Sequence, residues 1–111
     1  MEIAQEREGD VVIVRLAGRL DSAAAPAAEE GLSRALGGTP PRLAIDMAGL
    51  DYISSAGLRV LLVVAKKVQE AHGTVTLAGL TPHVNEVFAV SGFDTIFSIH
   101  PDRASAVAAA R

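Results

Sequence analysis

The segment from Leu43 to Ala71, LAIDMAGLDYISSAGLRVLLVVAKKVQEA, constrains the fold more than any other part of the chain. A short apolar run, Leu43-Ala44-Ile45, leads through a turn to a polar elbow at Ser54-Ser55-Ala56-Gly57, and a long amphipathic stretch follows. This order predicts a strand, a loop and a helix, with two serines at the helix start. Either hydroxyl can serve as the N-cap by accepting a backbone N–H.

The flanking sequence supplies elements that pair with this unit. Val11 to Gly18 is continuous and rich in β-branched residues, as expected of an interior strand, and the turn Glu8-Gly9-Asp10 joins it to a first strand over Glu2 to Glu6. Asp21-Ser22 offers N-cap oxygens and Pro26 suits a first helical turn, so the Ala-rich segment up to Leu36 reads as a helix that Gly37-Gly38 stops. Beyond Pro40-Pro41, Arg42 to Met47 is a short buried strand. Gly73 marks the end of the long helix, Thr74 to Ala78 alternates as a fourth strand, and Thr81-Pro82 opens a third helix by the same N-cap and N1 chemistry, closing at Ser91-Gly92. Ile96 to Ile99 reads as a last strand, and Pro101-Asp102 starts an Ala-rich terminal helix.

The order is therefore ββαβαβαβα: one α/β domain over residues 1–111, an N-terminal hairpin followed by alternating strands and helices on a mixed, mostly parallel sheet. Right-handed crossovers place functional loops at the strand C-terminal ends, and the Ser54-Ser55 elbow belongs to that edge.

Composition narrows the function. A net charge of −3 gives no electrostatic footprint for nucleic acid or an anionic membrane surface. With no cysteine there is no disulfide or thiolate metal site. The charged start MEIAQEREGD lacks the apolar core of a secretory signal, and the longest apolar runs are too short to span a bilayer, which points to a cytoplasmic protein without membrane insertion.

Catalytic constellations are missing as well. His72, His83 and His100 are scattered without ligand spacing, and Glu29-Glu30 are adjacent helix positions that diverge by about 100°. No GxxxxGK[ST] or GxGxxG opens a helix, so nucleotide hydrolysis has little support, and Ser55 lacks the glycine two residues upstream that a hydrolase elbow requires. The sequence reads as a non-enzyme with no cofactor and no metal.

On a helical projection of the long helix, Leu58, Leu61, Leu62, Ala65 and Val68 share one face, expected to pack on the sheet. Arg59, Lys66, Lys67 and Glu70 lie on the opposite arc, with Val63 among them. Beside an exposed elbow, Arg59 and Val63 suggest a small protein-docking surface.

These residues resemble the STAS family, the domain of bacterial anti-sigma factor antagonists, over nearly the whole chain. The resemblance is carried by Gly18-Arg19-Leu20-Asp21, by Ile45-Asp46-Met47 leading to Leu50-Asp51-Tyr52-Ile53-Ser54-Ser55-Ala56-Gly57-Leu58-Arg59-Val60-Leu61, and by Thr81-Pro82-His83-Val84 running on to Ser91-Gly92-Phe93. It implies a module that binds an anti-sigma factor, itself an ATP-binding serine kinase, and displaces the sigma factor. It further implies that the kinase phosphorylates a serine at the start of the second helix. Aligned on Gly57-Leu58, that serine is Ser55, and Ser54 stands where the family commonly has aspartate. With Arg59 and Val63 taken from the helical projection, the expected partner-binding set is Asp21, Ser54, Ser55, Ala56, Gly57, Arg59 and Val63. The aspartate-to-serine difference also fits an alternative, a non-phosphorylated STAS subunit regulating a membrane transporter or lipid-trafficking ATPase.

Overall fold

The computed structural model describes residues 1–111 as five strands, four α-helices and one 3₁₀ turn. Strands β1 (Glu2–Glu8) and β2 (Val11–Leu20) form the expected hairpin, and Gly9, at φ +60°, takes the left-handed conformation its tight turn needs. Helix α1 (Ala25–Arg34), strand β3 (Arg42–Ile53), helix α2 (Ser55–Glu70), strand β4 (Thr74–Ala78), helix α3 (Pro82–Ser91), strand β5 (Ser98–His100) and helix α4 (Arg103–Ala110) follow. The strand order is β1-β2-β3-β4-β5, antiparallel only between β1 and β2.

Alternation along the strands divides the core into two layers. Val12, Val14 and Leu16 of β2 and Leu43, Ile45 and Met47 of β3 point to the side covered by α1, α2 and α3. Val11, Ile13, Ala44 and Ala78 point to the other side, where α4 lays down Ala106, Val107 and Ala110. Small residues let this short helix sit close, and the buried Thr76 hydroxyl donates to the Ala106 carbonyl at 2.8 Å. A charged clamp fixes the same helix. Arg103 donates from Nε and Nη2 to Oδ2 of the buried Asp46 at 3.1 and 3.0 Å, and from Nη1 to Glu6.

Strands β2 and β3 are longer than the sequence signals suggest. Pairing of β3 with β4 ends at Asp46 and Ala78, whereas β2 and β3 stay paired to Leu20 and Ile53, with register shifts between Arg15 and Ala17 and between Gly18 and Arg19. Met47 to Ile53 therefore forms, with the end of β2, a two-stranded overhang beyond the rest of the sheet. Helix α3 covers it: Val84 and Phe88 are buried in the same core as Leu50 and Ile53. The elbow stands at the tip of this overhang.

Four local expectations are revised. The final strand is Ser98–His100, because Phe93–Thr95 closes a 3₁₀ turn that leaves Ile96 outside the sheet and 56% exposed. Thr81 occupies the N-cap position of α3 but its hydroxyl donates to the Leu50 carbonyl at 2.9 Å and leaves the helix amides uncapped by a side chain. At the end of α2 the left-handed residue is His72, at φ +58°, and Gly73 is required for a different reason, since a Cβ there would overlap the Pro41 carbonyl oxygen. Ahead of α1, the Asp21 carboxylate accepts the Ala24 N–H at 3.0 Å and caps the preceding turn, so the helix starts at Ala25 with no side-chain cap of its own.

Asp102 does cap α4, accepting the Ser105 N–H at 2.8 Å and the Ser105 hydroxyl at 2.7 Å, and these bonds hold its carboxyl below the ordinary carboxylate value. Its contribution to stability is present above the ordinary value of 3.8 and is lost as pH falls through the lowered native value. Asp102→Asn, which retains a cap oxygen, is expected to flatten the acid limb of a stability-against-pH curve. For the clamp, Asp46→Ala is expected to cost about 2 kcal/mol, less than at a fully buried pair because the Arg103 side chain keeps 36% exposure. The measurement is the urea midpoint at unchanged slope.

Candidate functional site

The elbow separates its two serines by role. Ser54 has extended backbone angles and is the N-cap of α2: its hydroxyl oxygen accepts the Gly57 N–H at 3.2 Å. The same hydroxyl donates to the Leu20 carbonyl at 3.2 Å, and that carbonyl also accepts the Ser54 N–H at 2.9 Å. Both functions of the Ser54 side chain are thus used to tie the end of β2 to the start of α2. Ser55, one residue on, is the first helical residue; it is exposed and makes no side-chain hydrogen bond.

Gly57 is needed for that tie. It is buried, and a Cβ built on it would lie 2.7 Å from Leu20 Cγ, 2.8 Å from the Leu20 carbonyl oxygen and 2.9 Å from Ile53 Cγ1. Its part in the site is to bring the helix N-terminus against the strand tips, and it offers no side chain to a partner. Ala56 is half-buried. With Arg59 and Val60 it faces Ser22, Ala25, Pro26 and Glu29 across a groove of about 310 Å³ between the starts of α1 and α2. Asp21 is half-buried beside this edge, its carboxylate engaged by the turn at Ala24.

The rest of α2 corrects the projection made from sequence. Its buried residues are Gly57, Leu58, Val60, Leu61, Val64 and Val68, while Leu62 is 42% exposed and Val63 is half-buried. The physical reason is α1, which packs alongside α2 and covers the arc of Val60 and Val64; Lys67 reaches across to Ser33 with a hydrogen bond of 3.1 Å. The flank of Leu62 has no comparable helix against it. The exposed apolar side chain near the elbow is therefore Leu62, two turns along the helix from Ser55.

Sequence reasoning also missed a stack beside the elbow. The Arg19 guanidinium sits 4.2 Å above the Tyr52 ring, and Tyr52 lies nearly parallel to His83, with centroids 6.1 Å apart and planes at 15°. It joins β2, β3 and α3 across the tip of the overhang. Nothing in the local sequence around His83 reports that β3 continues to Tyr52. No group of three or more His, Cys, Asp and Glu side chains converges as a metal site, and no helix is long and apolar enough to cross a membrane.

Taken together, the geometry defines a small α/β domain whose principal surface feature is a helix N-terminus carrying a free serine on the tip of two long strands. The chain belongs to the STAS domain family, whose model matches residues 2–106. It is 40% identical over 109 residues, spanning 98% of this chain and 94% of the relative, to BtrV of Bordetella bronchiseptica, described as a candidate anti-sigma factor antagonist. The anti-sigma-B factor antagonist of Listeria monocytogenes is 27% identical over 95 residues, spanning 86% of this chain and 83% of the relative. The crystal structure of an anti-sigma factor antagonist from Mycobacterium paratuberculosis superposes with a TM-score of 0.89 at 25% identity, covering 99% of this chain and 93% of that one.

The division of labour between the serines is open to test by denaturation. Ser54→Ala, which removes the cap and the bond to Leu20, is expected to cost about 1 kcal/mol, and Ser55→Ala less than about 0.5 kcal/mol. Gly57→Ala is expected to cost about 1–3 kcal/mol through overpacking against Leu20 and Ile53.

Proposed function

We propose that this chain is an anti-sigma factor antagonist. In its unmodified form it binds an anti-sigma factor that is also a serine kinase and so releases the sigma factor; phosphorylation of Ser55 by that kinase ends the interaction. The observation that carries the reading is the exposed, unbonded Ser55 hydroxyl at the first residue of α2, beside a Ser54 whose hydroxyl is fully used. Kinship with the antagonists of Bordetella and Listeria supports it.

Phosphorylation would form a bond between Ser55 Oγ and the γ-phosphorus of ATP, break the bond to the β-γ bridging oxygen, release ADP and pass the hydroxyl proton to a base of the kinase. The antagonist is the substrate and performs no catalysis itself. A phosphate at Ser55 brings about −1.5 to −2 charges to the start of α2, where the helix dipole favours anions, so the fold tolerates it. The switch then works on the interface, through bulk, desolvation and unpaired like charge, which can cost several kcal/mol. Ser54 fits this scheme despite replacing an aspartate, because serine caps a helix about as well. What it omits is the second negative charge.

Incubation with the cognate anti-sigma factor kinase and ATP, followed by mass spectrometry, is expected to add one phosphate at Ser55 and none to Ser55→Ala. Ser55→Asp, folded by circular dichroism, is expected to bind the kinase at least tenfold more weakly than wild type. Phosphate on another residue would displace the site. No transfer from any co-encoded kinase would favour the transporter-subunit alternative.

A further inference from the structure

Along the exposed side of α2 the residues Ser55, Arg59, Leu62 and Lys66 follow one another at spacings of four, three and four, which places them in a single row parallel to the helix axis. All four are exposed. Leu62 is the only one of the chain's large apolar side chains above 40% exposure that lies on α2; the others, Val90 and Ile96, lie beyond β4. Neither cation beside it is in an ion pair, which holds also for Arg7, Arg19, Arg42 and Lys67, but these two alone flank an exposed leucine on one helix face. Glu29 of α1 shares the groove with Arg59 and Glu70 lies one turn beyond Lys66, yet neither carboxylate comes within ion-pair distance of them. In a chain of net charge −3, two unpaired cations flanking one exposed leucine form a local patch of opposite sign.

We infer that Arg59, Leu62 and Lys66 form the contact row for an acidic surface of the anti-sigma factor, with Leu62 filling an apolar socket between two carboxylate-bearing positions, and that Arg59 is shared between two states. In the unmodified protein Arg59 pairs with a partner carboxylate. Once Ser55 is phosphorylated, the phosphate stands one turn N-terminal to Arg59, the favourable order for an acidic and a basic group at i and i+4, and takes that guanidinium for itself. The modification then removes a cation from the interface in addition to adding an anion. This inference rests on the proposed function and specifies the chemistry of its partner.

The test measures the affinity of the anti-sigma factor kinase for the full chain by calorimetry at two salt concentrations. Leu62→Ala is expected to weaken binding about tenfold, as for a central apolar contact, and Arg59→Gln and Lys66→Gln each several-fold with a shallower salt dependence than wild type. Val90→Ala, on α3, is the control and is expected to bind as wild type. Phosphoserine installed at position 55 during translation, with no kinase needed, is then combined with Arg59→Gln. The expected result is non-additivity, in which the modification weakens Arg59→Gln by a smaller factor than it weakens wild type. Wild-type affinity in all three row variants, or strict additivity of modification and Arg59→Gln, overturns the inference while leaving the antagonist reading intact. Absence of any binding by the unmodified wild-type chain overturns both.

Discussion

The carbonyl of Leu20 is the point through which strand and helix are joined. It accepts the Ser54 N–H and the Ser54 hydroxyl, while Gly57 packs on the same residue closely enough to exclude a Cβ. These contacts set where α2 begins and how near it lies to the strand tips, and the exposure of Ser55 follows directly. Were the helix start displaced by one residue, about 100° of rotation would carry Ser55 toward the flank and bring a different side chain to the surface. The exposed serine is thus held by the capping hydroxyl of the half-buried Ser54 just before it and by the buried Gly57 two residues after.

The two faces of the sheet are closed by different chemistry. One carries the larger layer, branched aliphatic residues of the strands against α1, α2 and α3 together with Phe88 and Phe97. The other is sealed by α4, whose contact surface is mostly alanine and whose attachment includes the Asp46–Arg103–Glu6 cluster. Alanine gives little apolar area per residue, and a buried carboxylate needs a fixed partner. The two requirements meet in one helix: Arg103 satisfies Asp46 at the first turn, and the alanines that follow allow the backbone to approach the sheet.

Much of this was legible in the sequence because it is local. The hairpin turn, the Ser-Ser elbow, the punctuation at Gly92 and the order of strands and helices each depend on a few adjacent residues whose conformational preferences agree with the fold. What was not legible depends on distant neighbours. Leu62 belongs to the apolar period of α2, yet it faces solvent because α1 occupies the opposite flank and draws Val60 and Val64 inward. Thr81 carries the signature of an N-cap and spends its hydroxyl on Leu50. Gly73 reads as a helix terminator, but Pro41, from the other end of β3, is what forbids a side chain there. At the site, the motif singles out Ser55 as a candidate; its separation from Ser54 needed the position of Leu20, and the Arg19–Tyr52–His83 stack needed the full length of β3.

The overhang of β2 and β3 past β4 has a consequence for steric reach. Because the sheet narrows to two strands before the chain turns at Ser54, the elbow stands clear of β4, β5 and α4, with only the start of α1 and the covering helix α3 beside it. A catalytic cleft that must close around a single hydroxyl can therefore admit the tip of the domain without accommodating its full width. The extra length of two strands sets the elbow apart from the rest of the sheet, a placement more often provided by a flexible loop.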